Sequence, residues 1–284
     1  MLVLSSGLLA TLPLAACSST WAKNYREVRT LQIPHIAGTA LGVENANGAV
    51  EVLSRDREDI SIEVTLYGPD LERLHFANVN AIRQGDESLR VWVDWPGGKR
   101  EKNEGAAISI NTPGAENVHI RTTNGRVITQ GLGGRADIQT TNGSIRVDTH
   151  DGEVHTSSTN GNFDAEHVSG EIEAFTSNGR INIIDAFGPI RAESTNGSAF
   201  ISTTHGNSGP IRVRTTNGNV TLDLGEGFEG VLKCDTSNGK IQVINLESSR
   251  LIESSSRRVE LKIGQSSEVS AVRTSNGSVR VRGR

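Results

Sequence analysis

The feature that most constrains this chain is a dipeptide on a fixed period. Asn-Gly stands at Asn124, Asn142, Asn160, Asn178 and Asn196, each 18 residues after the last, then at Asn217 and Asn238 at 21-residue spacing. Outlying copies begin at Asn47 and Asn276. A fixed period near 20 residues marks a repeat architecture, in which each unit buries its apolar face only against its neighbours.

Aligned on the Asn, the units show columns. Six residues before it stand Val118, Ala136, Val154, Ile172, Ile190, Ile211 and Leu232; four before it, Ile120, Ile138, Thr156, Ala174, Ala192, Val213, Cys234 and Val272. Two before it is always Thr or Ser, from Thr122 to Thr274. Three after it come Val127, Ile145, Phe163, Ile181, Ala199, Val220, Ile241 and Val279; five after it, Thr129, Val147, Ala165, Ile183, Ile201, Leu222, Val243 and Val281. Residues between the columns are mostly polar. This alternation predicts two half-buried strands per unit, one on each side of the Asn-Gly corner. Gly recurs ten residues after the Asn, at Gly134, Gly152, Gly170, Gly188, Gly206 and Gly227, and marks a second corner.

Two architectures share this pattern. Asn-Gly between alternating strands is a strong hairpin signal, so the units could form a meander; alternatively each unit is one coil of a parallel β-solenoid. A meander of eight units would be a sheet of 16 strands with an uncovered apolar face, and closing it would leave a lumen too wide for small side chains to fill. A flattened coil buries those side chains against its own opposite strand. The solenoid is therefore the expected fold, all-β, with 18- to 21-residue coils. Asn and Gly are expected at the corner for their tolerance of left-handed backbone, with stacked Asn and Thr/Ser side chains free to hydrogen-bond along the axis.

Outside the regular repeats, Leu41, Val43, Val50 and Val52 already fit the inward columns around Asn47. Strand candidates follow in "DISIEVTLYG" and "SLRVWVDWPGG", with "PDLERLHFANVNAIRQG" between them able to hold a short helix or a strand. Residues 33–113 read as a β-rich cap with the first coil, and 114–284 as repeats continuous with it. Near the C-terminus, residues 246–257 read as an excursion and Val259 to Ile263 as rejoining the stack.

The opening stretch "MLVLSSGLLATLPLAAC" is apolar but too short to span a bilayer as a mature helix, and reads as a signal peptide over 1–16. Leu14-Ala15-Ala16-Cys17 resembles the lipobox of bacterial lipoproteins, in which the Cys carries acyl chains after cleavage. At ~0.8 kcal/mol per buried methylene, several chains anchor a protein stably. Residues 17–32 then serve as a tether, and Ser18 fits the outer-membrane sorting pattern of Gram-negative lipoproteins. The other cysteine, Cys234, lies in an inward column and reads as a buried, inert thiol.

Repeated "TxNGxIxV" units preceded by "ISINTP" resemble a bacterial envelope family catalogued as a "putative adhesin" domain of unknown function, over about Ile33 to the C-terminus. The resemblance implies a β-solenoid in the periplasm or at the cell surface, and supplies no catalytic residues.

The chain offers little chemistry of its own. Among 284 residues the net charge is -4, which argues against nucleic acid as a partner. The outward column five before Asn reads His119, Asp137, His155, Glu173, Arg191, Arg212, Lys233. Its first four residues form a metal-capable ladder, although alternate rungs stand ~9.6 Å apart, and cross-strand charge pairing explains them as well. Its basic end, with Arg214 in the neighbouring column, is a candidate contact for anionic envelope polymers. Phe175 and Phe200 are outward aromatics on opposite strands. The varied outward neighbours Arg121, Gln139, Ser157, Phe175 and Glu193 exclude a flat ice-binding Thr face, and no calcium nonapeptide, Walker loop or His-Glu-x-x-His is present. A sugar-cleaving enzyme would need a carboxylate cluster, with Glu173 the residue to test. The expectation is a non-catalytic, lipid-anchored envelope protein without cofactor, binding an envelope polysaccharide or, alternatively, serving as a scaffold for another envelope protein.

Overall fold

The computed structural model describes residues 24–284 apart from 86, 87, 208, 247 and 248. The fold is all-β, a many-stranded mixed sheet with, among the described residues, one short α-helix, Leu71–Phe76, capped by the Asp70 carboxylate on the amides of Glu72 and Arg73. The regular units pair in parallel, each residue beside the one a unit further on: Val118 with Ala136, Val154 with Ile172, Ile190 with Ile211. Each unit contributes one strand before the Asn and one after it, so two parallel ladders run along the stack. In Val127–Asn142 and Ile145–Asn160 the strand continues round the second corner without a break.

The core lies between the ladders. Residues of the inward columns, including Ile120, Ile138, Ile172, Ile181, Ile201 and Leu222, are buried, and so are the Thr and Ser two before each Asn. Several of those hydroxyls donate to a glycine carbonyl in the neighbouring unit, for example Thr176 Oγ1 to Gly161 at 3.0 Å and Thr215 Oγ1 to Gly197 at 2.8 Å. This is why a polar side chain is tolerated inside.

Both ends of the sheet depart from the expected parallel stack. At the N-terminal end Ser88–Asp94 and Gly105–Thr112 pair in parallel with the two strands of the Asn47 unit, and antiparallel strands extend each ladder: Asn78–Gln84 on one, Asp59–Gly68 and then Tyr25–Pro34 on the other. The stretch "PDLERLHFANVNAIRQG" thus gives a helix and a strand. The strand Tyr25–Pro34 begins inside the segment read as a tether.

The C-terminal end corrects the expected order. Val269–Asn276 and Val279–Gly283 do not follow the Asn238 unit; they insert between it and the Asn217 unit, pairing in parallel with both. Within the excursion, Ser249–Ser254 pairs antiparallel with Arg258–Ile263, which lies antiparallel on Gly230–Asn238. Val259 to Ile263 rejoin the sheet, but reversed.

The reason for Asn-Gly also needs correction. None of the corner asparagines has positive φ, and of the corner glycines only Gly48 does. A Cβ on Gly143 would stand 1.9 Å from the carbonyl oxygen of Gly125, and one on Gly179 1.9 Å from that of Gly161. The corner glycine is required by close stacking of backbone on backbone, not by left-handed geometry. Left-handed residues fall instead around the second corner, seven after the Asn at Gly131, Thr149, His167, Asp185 and Asn245 and ten after it at Gly134, Gly206 and Gly227.

Candidate binding face

The outer surface of the ladder of strands preceding Asn carries the predicted site residues. Strand pairing orders its first outward column as His119, Asp137, His155, Glu173, Arg191, Arg212, Ala271, Lys233. Lys233 is therefore not adjacent to Arg212: the inserted C-terminal unit puts Ala271 between them. The second column runs Arg121, Gln139, Ser157, Phe175, Glu193, Arg214, Arg273, Asp235. Arg273 thereby joins the face, a position that sequence order alone does not reveal.

The His/Asp/Glu ladder resolves into pairs. His119 Nδ1 lies 3.5 Å from Asp137, while His155 Nδ1 lies 2.9 Å from Glu173 and its Nε2 3.6 Å from Glu153. His119–Asp137 and His155–Glu173 are cross-strand charge partners, and Glu153 approaches His155 from the same strand. Among the described residues no group of three or more His, Cys, Asp or Glu side chains is placed to hold a metal ion.

The basic end is mostly, but not wholly, neutralised. Arg191 donates to Glu193 at 2.9 Å and lies over the Phe175 ring, 5.3 Å from its centroid. Arg273 and Arg258 share Asp235, at 3.6 Å and 2.8 Å, and Lys233 meets Glu260 at 3.3 Å. Arg212 and Arg214 are exposed and have no acidic partner among the described residues. Arg214 lines a shallow groove of ≈ 390 Å³ whose other walls are Ser157, Ser177, Thr195, Thr216, Glu193 and the flank of Phe175. Its chemistry is that of hydroxyl and guanidinium donors, with the Glu193 carboxylate, around one aromatic ring. Phe200 belongs to the opposite ladder, beside Asn182 and Thr221, so the two aromatics form no common platform.

Cys234 is buried, and burial together with the nearby Asp235 charge pushes its thiol up to about 12. It is protonated and unreactive in the folded chain. Cys17 lies outside the described residues. No helix among those described is long and apolar enough to cross a membrane.

No family model matches the chain, and no curated protein does. Solved structures do match it. A "putative adhesin" from Bacteroides fragilis is 12% identical, with 91% of this chain and 97% of that one covered and a TM-score of 0.47. A "putative adhesin" from Parabacteroides distasonis is 13% identical, covering 90% and 97%, with a TM-score of 0.44. A "putative cell adhesion protein" from Clostridium sporogenes is 13% identical, covering 92% and 100%, with a TM-score of 0.29. At such identities and scores the functional reading rests on this chain's own surface.

Proposed function

We propose that this chain is a non-catalytic binding protein of the bacterial envelope, held to a membrane by acyl chains on Cys17, whose β-solenoid body presents the face around Arg212 and Arg214 to an anionic envelope glycan or polymer. The observation that carries this reading is the contrast within one face. Arg191, Arg273, Arg258 and Lys233 each have a carboxylate, whereas the adjacent Arg212 and Arg214 have none among the described residues. Arg214 lines a groove walled mainly by hydroxyls, with Glu193 its one carboxylate among the described residues. Rungs ~4.8 Å apart offer a regular series of donors to an extended acidic polymer lying along the stack.

The test is binding of the chain to matched acidic and neutral envelope polysaccharides at two salt concentrations. The acidic polymers are expected to bind saturably and more weakly at the higher salt, and the R212A/R214A double variant to bind about tenfold more weakly. Equal binding of neutral polymers, or an unchanged double variant, would overturn the reading.

A further inference from the structure

Among the described residues nothing covers the C-terminal end of the stack. The inward row Leu232, Leu261, Leu251 runs across three neighbouring strands; the first two are buried, but Leu251 is 57% exposed. Ile252 beside it is 54% exposed, and Val243 and Ile244 on the last strand of the other ladder are exposed as well. Among the described residues Ser249–Ser254 pairs with Arg258–Ile263 alone, and its other edge has no partner there. A free edge beside exposed apolar side chains is a template for another strand.

The charges on this edge identify the strand that fits. Inside its own hairpin, Arg250 stands directly opposite Lys262, and Glu253 directly opposite Glu260. Like charges placed directly across a sheet are unfavourable. Relief from within the chain reaches the inner member of each pair, Glu260 through Lys233 at 3.3 Å and Lys262 through the carbonyls of Gln265 and Ser266, and leaves the edge members poorly matched. Glu253 reaches only Arg258, at 4.0 Å, and that guanidinium is already held by Asp235 at 2.8 Å. Arg250 has no acidic partner among the described residues.

The edge reads Ser249-Arg250-Leu251-Ile252-Glu253-Ser254, a sequence that complements itself when reversed. Laid antiparallel on a second copy about a two-fold axis, Arg250 meets Glu253 twice, Leu251 meets Ile252 twice, and Ser249 meets Ser254. The row Lys233, Glu260, Glu253 would then continue with the second copy's Arg250, and the row Lys262, Arg250 with its Glu253. Ile252, which has no opposite residue in the hairpin because the register slips there, gains one in the second copy's Leu251. An isologous contact of this kind closes at two copies and leaves this strand no further edge. We infer that the strand Ser249–Ser254 is a self-association edge and that its occupant is the same strand of a second copy of this chain.

The test uses the full chain in detergent, carrying either of two affinity tags, with co-purification quantified. Wild-type chains are expected to co-purify. R250E paired with R250E, and E253R paired with E253R, should each co-purify at least about tenfold less, because both contacts become like-charged. R250E mixed with E253R should return to near the wild-type level, since each carboxylate then meets a guanidinium. Within the hairpin both substitutions put opposite charges across the strands: the carboxylate brought by R250E faces Lys262, and the guanidinium brought by E253R faces Glu260. Hairpin unfolding would therefore not explain a loss. Absence of co-purification between wild-type chains, single variants that pair as wild type does, or a mixed pair as weak as the matched ones would each overturn the inference.

Discussion

Asn276 donates its side-chain amide to Asn217, 59 residues earlier in the chain, at 2.8 Å, and accepts from Asn238 at 2.9 Å. The last unit thus holds together two units that are consecutive in sequence but not in space. Ending the chain after Gln265 removes Val269–Gly283, and Ile211–Leu224 loses its partner on one side in both ladders. Val272, Val279 and Val281, all buried, would leave a gap through the core. The truncated chain is expected to lose cooperative unfolding of its C-terminal third and to become sensitive to proteolysis there. Circular dichroism melts and limited proteolysis compare the two forms.

The corner has two separable contributions. The Asn amides form a continuous ladder: Asn178 donates to Asn160 at 2.9 Å and accepts from Asn196 at 2.8 Å. Asn178→Ala removes both bonds, and at ~0.5–1.5 kcal/mol each the loss is about 1–3 kcal/mol. Gly179→Ala should cost more, because its Cβ would collide with backbone, the Gly161 carbonyl, that no side-chain rotation can move. Urea denaturation of the two variants should rank them in that order.

The inward columns were legible from the sequence because alternation reports burial directly: Ile120, Ile172, Ile201 and Cys234 are all buried as the period requires. The same columns misstate the end, since Val243 is an inward-column residue of an outermost unit and stands exposed. Stacking order was not legible. The units share Thr or Ser, Asn and Gly at the corner, so any unit fits beside any other, and chain order gave Lys233 the neighbour Arg212 instead of Ala271. The role of the corner glycine was hidden for a different reason. Positive φ and close approach both select Gly, and only the distance from one unit to the next separates them.

Thr149 is held at φ 52°, seven residues after Asn142, where the neighbouring units place Gly131 and His167. Left-handed backbone is costly for a β-branched residue. Thr149→Gly removes that strain but gives the unfolded chain more freedom, so the net gain is about 0.5–1 kcal/mol. Thr149→Ala retains a Cβ in the same conformation and should show no such gain. A melting comparison of the three proteins distinguishes relief of strain from any effect of losing the hydroxyl, which donates to the adjacent Asp148.

Cys234 sits in its column between Val272 and Val259 with no exposed surface. Its thiol is raised to about 12, so at pH 8 the thiolate fraction is negligible and no reagent can reach it. Iodoacetamide should leave Cys234 unmodified in the folded chain and alkylate it fully after unfolding in urea, as read by peptide mass spectrometry. Modification of the native protein at pH 8 on the timescale of a free thiol would show that this part of the stack opens.

His150 supplies a pH dependence with a defined sign. It is buried at the second corner, where its Nε2 and the Gly134 carbonyl are 3.0 Å apart, and burial holds its pKa below the ordinary value of 6.5 despite the opposing pull of that carbonyl and of Asp151. The unfolded chain therefore binds a proton at this residue near pH 6.5 while the folded chain does not. Stability follows the difference in bound protons, so the contribution of His150 is intact above about pH 6.5 and falls as the pH drops from there toward its lower folded value. His150→Gln keeps an N–H donor for the Gly134 carbonyl but cannot titrate. Chemical denaturation from pH 8 to pH 5 should give a shallower loss of stability for the variant than for the parent, with the two curves converging in slope above pH 7. Identical slopes throughout would assign the acid sensitivity to the carboxylate pairs of the outer faces instead.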